Sequence, residues 1–381
     1  MRRSSSPGPE KGRYPLDALD RIYLSRACEL AARAIGNTTP NPTVGAVVVA
    51  NGQTLGEGYH HRAGEEHAEV HALRAAGDRA HGATLYVSLE PCDRTGRTPP
   101  CTSAVVAAGI ARVVIGAADP NPATDGRGAA RLREAGIEVE IADDQRARAL
   151  IERFAIAVRG ERPFVTLKLA ASLDGYMASA AGKQEWLTGE AARAFVRELR
   201  IEHDAVMVGA GTVRVDDPQL TVRPAHHRLH DYLRVVACES GGIDPASRVL
   251  EEHPGYARTV VLAPGGARDG FDALRGAAET IFVGGARARQ LDLEAALRAL
   301  HARGVQSILC EGGPTLASRL IARGLVDRFH WLIAPRLLRG EGAVPALGDL
   351  DLSAIRPGLR YERVELLGPD VLLTGSLQPD V

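Results

Sequence analysis

The feature that most constrains the fold is a set of metal-binding residue types at the ends of predicted strands and the starts of predicted helices. His67 and Glu69 stand at the start of one predicted helix. Cys92 follows a predicted strand, and Cys101 comes directly after two prolines that can open another helix. One imidazole and two thiolates form a zinc ligand set that leaves a fourth, catalytic position open. The chain must therefore fold so that these residues meet.

The spacing of Glu69 predicts a role beside the metal. Glu69 lies two residues after His67, so the two side chains do not share a helix stripe, but at a helix N-terminus both reach a metal beyond the helix end. His-x-Glu followed by Pro-Cys and a second Cys is typical of zinc-dependent nucleobase deaminases. In that chemistry zinc acidifies a bound water. Glu69 is expected to take the proton and pass it to the leaving nitrogen, so that ammonia departs.

Other interpretations of these residues remain open. His71, four residues after His67, offers a second metal pair, but that pair leaves Cys92 and Cys101 unexplained. Any single cysteine is explained equally well by burial. Five cysteines at irregular spacing do not predict a disulfide framework, and they favour a reducing compartment.

Apolar periodicity predicts two α/β domains. A chain of 381 residues is too long for a typical single core, and the composition changes at residues 158–163. We therefore predict a disordered lead-in at 1–15, a first domain at 16–161 and a second at 162–381. In the first domain the predicted helices cover 16–34, 67–76, 127–135 and 145–158, and the predicted strands cover 44–50, 55–59, 84–89, 113–116 and 137–141. This alternation indicates a sheet with helices on both faces.

Two features mark the second domain. Only three residues are lysine (Lys11, Lys168 and Lys183), and Lys168 stands in an apolar strand predicted at 164–170. Glu311-Gly312-Gly313-Pro314 joins a predicted strand to a helix, where exposed backbone N–H groups can bind phosphate, although a tight turn explains the glycines equally well. No GxGxxG occurs, which argues against a Rossmann domain.

Five motifs together resemble a known family. They are Pro40-Asn41-Pro42, His67-Ala68-Glu69-Val70-His71, Glu90-Pro91-Cys92, Gly96-Arg97-Thr98-Pro99-Pro100-Cys101 and Asp119-Pro120-Asn121-Pro122. They resemble the bifunctional pyrimidine deaminase/reductases of riboflavin biosynthesis. The resemblance implies a cytidine-deaminase-like three-layer α/β/α domain followed by a dihydrofolate-reductase-like α/β domain. It implies deamination of 2,5-diamino-6-ribosylamino-4(3H)-pyrimidinone 5′-phosphate, then reduction of the ribosyl group to ribityl with NADPH.

The same resemblance implies roles for individual residues. One Zn²⁺ would be held by His67, Cys92 and Cys101, with Glu69 as proton shuttle. Substrate contacts in the first domain would come from Asn41, His60, Arg97 and Asn121. In the second domain substrate contacts would come from Lys168, Thr188, Arg200, Leu220, Arg223 and Glu311. NADPH would lie near Ala170, Trp186, Thr212, Asp216, Gly313, Pro314, Thr315 and Leu316. From its apolar strand, we expect Lys168 to polarise or protonate the opened sugar oxygen.

Two positions depart from the family pattern. Arg94 stands where the family usually has a histidine that contacts substrate, and it either replaces that contact with a cation suited to phosphate or weakens the site. Gln184 stands where a serine is usual, which puts one substrate contact in question.

The remaining expectations concern partners and alternatives. We expect a cytoplasmic enzyme with a small-molecule substrate, without nucleic-acid or membrane partners, that forms a homo-oligomer through the reductase domain. A deaminase acting on another nucleobase or on tRNA is disfavoured by a net charge of −1 and an aromatic content of 4%. A catalytically impaired scaffold remains an alternative. His226, His227 and His230 are expected in a solvated loop.

Overall fold

The computed structural model describes residues 16–95, 99–222, 232–254, 256, 258–348 and 358–378. The chain separates into two compact units, Met1–Arg159 and Gly160–Val381. The lead-in at 1–15 and the three histidines at 226, 227 and 230 lie outside the described residues. Where the chain is described, no helix is both long and apolar enough to cross a membrane.

The first unit is a five-stranded sheet covered by helices on both faces. Its elements are α1 (Ala18–Ala32), β1 (Gly45–Ala50), β2 (Gln53–Tyr59), α2 (Ala68–Ala76), β3 (Thr84–Leu89), α3 (Cys101–Ala107), β4 (Arg112–Ala117), α4 (Arg127–Glu134), β5 (Glu138–Ile141) and α5 (Gln145–Arg159). The strand order is β2-β1-β3-β4-β5, with β3, β4 and β5 parallel. Successive strand residues point to opposite faces. One face of β1, β3 and β4 therefore packs against α2, α3 and α4, and the other packs against α1. The predicted three-layer α/β/α domain is confirmed.

The second unit is built on a nine-stranded sheet. Its elements are β6 (Phe164–Ser172), β7 (Tyr176–Ala178), α6 (Glu190–Glu202), β8 (Ala205–Gly209), α7 (Ala210–Asp216), β9 (Leu233–Ala237), β10 (Val260–Pro264), β11 (Glu279–Val283), α8 (Leu293–His301), β12 (Ser307–Cys310), α9 (Pro314–Ala322), β13 (Arg328–Ala334), β14 (Val344–Pro345), β15 (Gly358–Leu367) and β16 (Asp370–Gln378). The order is β11-β10-β9-β8-β12-β6-β13-β16-β15. In this order across the sheet, the seven strands from β11 to β13 pair in parallel. Their carboxyl ends therefore meet at one edge, where ligands bind in such sheets.

The last two strands form a hairpin with one apolar face. In the pairing of β15 with β16, a register shift after Tyr361 adds one residue to β15. Because of that extra residue, four exposed apolar side chains share a face: Leu359, Tyr361, Val364 and Leu366. Their exposed fractions rise from 46% at Leu359 to 73% at Leu366, so this face has no cover within the described part of the unit.

Candidate active sites

The three predicted zinc ligands lie together in the first unit. His67 is the N-cap of α2, Cys101 is the first residue of α3, and Cys92 lies three residues beyond β3. The His67 Nδ1 atom is 3.1 Å from the Cys101 Sγ and 3.5 Å from the Cys92 Sγ. In a tetrahedral zinc site with usual bond lengths, nitrogen and sulfur ligand atoms lie about 3.6 Å apart. The donor set and its spacing therefore fit a zinc ion bound through Nδ1.

Glu69 is buried beside this cluster without binding to it. It lies in the first turn of α2, is 3% exposed, and its Oε2 atom has no hydrogen-bond partner. Burial raises the pKa of this carboxyl group to about 7, and the His67 imidazole opposes the rise. A buried carboxyl group with such a pKa and one oxygen without a hydrogen-bond partner can both accept and release a proton near neutral pH.

The thiols differ in their tendency to ionise. The hydrogen bond with Cys101 and the nearby His67 lower the pKa of the Cys92 thiol to about 4. The shared proton and burial raise the pKa of the Cys101 thiol. Because a thiolate is the form that binds zinc, Cys92 is already prepared as a ligand.

Asn41 and His60 form one wall of this site. The Asn41 Nδ2 atom lies 3.0 Å from the His60 Nε2 atom, and the His60 Nδ1 atom lies 3.0 Å from the Glu66 carbonyl oxygen. Burial lowers the pKa of His60, so a neutral ring donates from Nδ1 and accepts from Asn41. The His60 ring meets the His67 ring edge to face at 5.1 Å between centroids.

Glu90, which the sequence presents only as part of the motif Glu90-Pro91-Cys92, holds a neighbouring loop in place. Its buried carboxylate accepts hydrogen bonds from the backbone N–H groups of Asp119, Gly126 and Ala129. These bonds hold the loop that carries Asn121, whose Oδ1 accepts a hydrogen bond from the Ala123 N–H. The only sign of this role in the sequence is a carboxylate directly before Pro91-Cys92. Its hydrogen-bond partners are backbone N–H groups, which a sequence pattern cannot reveal.

The rim of the first site is only partly described. Arg94 is exposed, and Arg97 lies outside the described residues. Next to Arg94, the Asp93 carboxylate accepts a hydrogen bond of 2.6 Å from the Thr102 hydroxyl. The alternative ligand His71 stacks on His61 and is not part of the cluster of His67, Cys92 and Cys101.

In the second unit, Lys168, Arg200 and Glu311 lie close together. The Arg200 guanidinium binds the Glu311 carboxylate through two contacts, of 2.5 Å from Nε and 2.9 Å from Nη2. Burial lowers the pKa of the Lys168 ammonium, and the Glu311 charge opposes that change. For Glu311, burial is outweighed by the charges of Arg200 and Lys168, so the net pKa lies below its usual value.

Arg200 also holds the segment that contains Leu220. Its Nη1 atom donates a hydrogen bond of 2.8 Å to the Thr221 carbonyl oxygen. Leu220 has φ of +54° and is buried, so its side chain packs into the unit. Arg223 lies outside the described residues.

A cavity of about 510 Å³ opens at the carboxyl ends of β8 and β9. The predicted cofactor residues Thr212, Asp216, Gly313, Pro314, Thr315 and Leu316 line it. The Thr212 hydroxyl oxygen accepts a hydrogen bond of 3.1 Å from the Gly313 N–H. Gly313 is the N-cap of α9, and no side chain caps this helix end. The free N–H groups there fit a phosphate, as the glycine-rich junction predicted.

The structure places the other predicted residues outside this cavity lining. Ala170 is half-buried on β6 and packs against the cluster around Leu332. Trp186 is 68% exposed, with the Arg193 guanidinium 5.5 Å from its ring. Arg193 also donates a hydrogen bond to the Thr188 carbonyl oxygen, which holds this segment in place. Gln184 is exposed.

Comparisons with known proteins agree with both units. Residues 18–117 match the model of the cytidine and deoxycytidylate deaminase zinc-binding region, and residues 163–373 match that of the RibD C-terminal domain. The riboflavin biosynthesis protein RibD of Escherichia coli (strain K12) is 41% identical over 373 residues, which are 93% of this chain and 98% of that protein. The relative from Synechocystis sp. is 39% identical over 364 residues.

Solved structures show the same likeness. A RibD structure from Acinetobacter baumannii has a TM-score of 0.83 at 36% identity and covers 94% of this chain and 99% of its own. A diaminohydroxyphosphoribosylaminopyrimidine deaminase/5-amino-6-(5-phosphoribosylamino)uracil reductase from Thermotoga maritima has a TM-score of 0.84 at 34% identity, with the same coverage.

The fold and the sites define a zinc-binding deaminase domain followed by a reductase domain. The chain belongs to the RibD family of riboflavin biosynthesis proteins. It is therefore an enzyme with two activities, a deaminase (hydrolase) and a reductase (oxidoreductase), and its cofactors are Zn²⁺ and NADPH. The family predicted from the sequence motifs is confirmed.

Proposed function

We propose that the first unit deaminates the diaminopyrimidine ribotide 2,5-diamino-6-ribosylamino-4(3H)-pyrimidinone 5′-phosphate and that the second unit reduces the ribosyl group of the product. The observation that carries this proposal is the cluster of His67, Cys92 and Cys101, with the buried Glu69 carboxyl group beside it and its Oε2 atom without a hydrogen-bond partner. The relative from Thermotoga maritima is described as a diaminohydroxyphosphoribosylaminopyrimidine deaminase/5-amino-6-(5-phosphoribosylamino)uracil reductase, which supports a substrate of this kind.

In the deamination, zinc supplies Lewis acidity that activates water at neutral pH. Glu69 accepts the proton that the water loses and delivers it to the departing amino group, so the ring carbon exchanges C–NH₂ for C=O and ammonia leaves. The Asn41 amide, oriented by its contact with His60, is placed to bind the polar edge of the ring. Asn121 and the two arginines at 94 and 97 are assigned to the phosphate-bearing part of the substrate.

In the reduction, NADPH supplies a hydride to the sugar carbon of the opened ribosyl group. Lys168 is assigned as the group that protonates the sugar oxygen, because its lowered pKa favours release of a proton. Arg200 and Glu311 are assigned to substrate, together with Thr188, Leu220 and Arg223. The cavity beside Thr212, Asp216 and residues 313–316 is assigned to the cofactor, and Ala170 and Trp186 to its reacting end.

The proposal is tested by supplying the diaminopyrimidine ribotide with and without NADPH and identifying the products. Without NADPH we expect ammonia and the deaminated ribotide, and with NADPH the ribityl product. Glu69→Gln should lose ammonia release by about 10²- to 10⁴-fold while it retains zinc. Lys168→Ala should retain ammonia release and lose reduction. Recovery of unchanged substrate by the wild-type protein would refute the assignment, and reduction by Lys168→Ala at the wild-type rate would refute the role of Lys168.

We also propose that the chain forms a homodimer through the outer face of β15 and β16. The face carries Leu359, Tyr361, Val364 and Leu366 on β15 and, opposite them, apolar residues of β16. Arg328 matches the charge of Glu362, the extra residue beside Tyr361, at 3.3 Å, and a second copy offers a matching, mainly apolar surface in a two-fold arrangement. We expect Leu366→Glu to convert a dimer to a monomer in light scattering. Glu365→Lys, on the opposite face of the same strand, should leave the dimer intact.

A cytoplasmic location is proposed from the cysteines. All five, Cys28, Cys92, Cys101, Cys238 and Cys310, are free, and two of them serve as thiolate ligands in the assignment above. A reducing compartment keeps such thiols available. Recovery of the protein from the cytoplasmic fraction of its source cells would agree with this assignment, and recovery from an exported fraction would contradict it.

A further inference from the structure

The order of strands in the second unit sets where each part of a dinucleotide lies. Lys168 is on β6, and β12, β8 and β9 follow in turn across the sheet. Neighbouring strands are about 4.8 Å apart, so the end of β9 lies about 14 Å from β6. The N-terminus of α9, assigned to the pyrophosphate, follows β12. A cofactor whose reacting ring lies beside Lys168 therefore carries its adenosine ribose towards the end of β9.

The cationic side chains that line the cavity differ in whether they form an ion pair with an acidic residue. Its cationic residues are Lys183, Arg214 and Arg319. Lys183 is paired with Glu185 at 2.7 Å, and Arg319 is paired with Glu239 at 2.6 Å. Arg214 is exposed, and among the described residues it makes no ion pair. Arg214 is therefore available to an anion that enters the cavity.

The position of Arg214 on α7 directs it towards β9. Asp216 lies two residues after Arg214, and residues with this spacing project to opposite sides of a helix. The Asp216 carboxylate interacts electrostatically with Lys168, at the reacting end. Burial raises the pKa of the Cys238 thiol, just after β9, and the nearby Arg214 charge opposes that rise. Both residues line the cavity, Asp216 on the side of Lys168 and Arg214 on the side of Cys238.

Glu239 is the acidic residue that lines the cavity at the end of β9. In Rossmann domains, a different dinucleotide-binding fold, an acidic residue binds the 2′-hydroxyl of the ribose. Here the Glu239 Oε1 atom already accepts hydrogen bonds from Arg319 Nη1 and from the Leu291 N–H, each within 2.7 Å. The second Arg319 nitrogen donates to the Leu291 carbonyl oxygen. Glu239 therefore anchors Arg319 at the cavity wall through Oε1, and the Arg319 guanidinium matches its charge.

We propose that Arg214 binds the 2′-phosphate of NADPH and thereby determines the preference for NADPH over NADH. This inference rests on the assignment of the cavity to the cofactor. An arginine guanidinium suits a terminal phosphate because it can donate two parallel hydrogen bonds.

The test measures binding of NADPH and NADH to the full-length protein by fluorescence titration, without turnover. We expect Arg214→Gln to weaken NADPH binding by roughly 10- to 100-fold and to leave NADH binding within about two-fold. Arg298→Gln, an exposed arginine on α8 outside the cavity, is the matched control and should change neither constant. Since Arg214 is exposed, its replacement should not affect folding, and an unchanged unfolding transition verifies this.

Each other outcome has a distinct meaning. Equal weakening of NADPH and NADH by Arg214→Gln, or no effect on either, overturns the role of Arg214 while the cofactor cavity stands. If the wild-type protein and Thr315→Trp, which fills the cavity, bind NADPH equally well, the assignment of the cavity itself fails. Wild-type binding of NADPH and NADH with equal affinity also overturns the inference.

Discussion

Arg200 and Glu311 form a two-contact ion pair inside the reductase unit, and the same guanidinium holds the Thr221 carbonyl oxygen. The two side chains are 18% and 11% exposed, so neither charge is well solvated. Removing one partner of a buried pair leaves the other charge unmatched, which costs more than the pair itself contributes.

We therefore expect Glu311→Gln to destabilise the second unit by about 3 kcal/mol and to abolish NADPH-dependent reduction. Ammonia release by the first unit should persist. Chemical denaturation and the two activity assays measure these effects. Glu190→Gln, whose exposed carboxylate pairs with Arg193 and Arg197, is the control and should change stability by less than about 1 kcal/mol. Loss of both activities in Glu311→Gln would contradict a role confined to the second unit.

A second prediction concerns acid stability of the deaminase unit. Asp20 is 3% exposed, accepts two hydrogen bonds from Arg112 and one from the Tyr86 hydroxyl, and has a pKa below its usual value, chiefly because of Arg112. A lowered carboxyl pKa contributes stability that is present above the unfolded-state value, about 4, and is lost as the pH falls through the folded-state value. The stability difference between the wild type and Asp20→Asn should thus be about 3 kcal/mol at pH 7 and shrink below about pH 4.

Denaturant titrations between pH 3 and pH 7 measure this difference. Glu29→Gln is the control, because its carboxylate is 61% exposed and pairs with Arg26 at the surface. Its effect should stay below about 1 kcal/mol at every pH. A difference for Asp20→Asn that is independent of pH would show that the carboxylate charge does not stabilise the fold.

Gly128→Ala should disturb the zinc site from outside it. A Cβ atom at Gly128 would lie 1.9 Å from the Pro91 carbonyl oxygen, so Pro91 and the adjoining Cys92 must move. We expect zinc affinity to fall by roughly 10- to 100-fold, as for other supports of metal ligands. Competition with a chromogenic chelator measures the affinity. Gly211→Ala, with nothing within 4 Å of its added Cβ, should bind zinc like the wild type.

Removal of zinc should separate the two activities. Dialysis against a chelator should abolish ammonia release, and the reductase unit should still reduce the deaminated ribotide with NADPH, because its assigned residues include no metal ligand. Zinc content is measured in parallel, and added zinc should restore ammonia release. Parallel loss of reduction would contradict the separate assignment of the two sites.

Tyr256→Phe should affect substrate binding through the backbone. The Tyr256 hydroxyl accepts a hydrogen bond of 2.8 Å from the Val222 N–H and donates one of 3.2 Å to the Val222 carbonyl oxygen. Loss of the hydroxyl frees the segment around Leu220, so we expect a several-fold rise in KM for the deaminated ribotide. The kcat of reduction and the affinity for NADPH should be unchanged. Tyr23→Phe, which loses a hydroxyl hydrogen bond to the Gly52 carbonyl oxygen in the first unit, is the control.

Much of the first site could be predicted from the sequence because its candidate metal ligands lie at the ends of helices and strands. The ligands sit at the first residues of α2 and α3 and just after β3, and apolar periodicity located those elements to within a few residues. The contacts that orient the ligands were not predictable. Glu90 binds three backbone N–H groups 29 to 39 residues away, and backbone groups look alike in any sequence.

The C-terminal strands show a second limit. Apolar runs predict the strand at 164–170, which is β6, and the strand before Glu311, which is β12, but not β7, β13, β15 or β16. In β15 the extra residue after Tyr361 shifts the alternation by one, so the apolar side chains occur at 359, 361, 364 and 366. A search for strict period-two alternation does not recognise such a strand, because the bulge interrupts the alternation.

The hydrogen bonds of the Glu90 carboxylate determine which substitutions the neighbouring loop can accept. The hydrogen bonds that Glu90 accepts do not depend on the side chains of their donors, because every residue except proline offers the same backbone N–H. Substitutions of the exposed loop residues Ala123 and Asp125 can therefore change the surface offered to a substrate without moving the metal ligands. The zinc ligands of the first unit can therefore stay in place while exposed side chains near them change. A new substrate preference can arise there through replacement of those side chains alone.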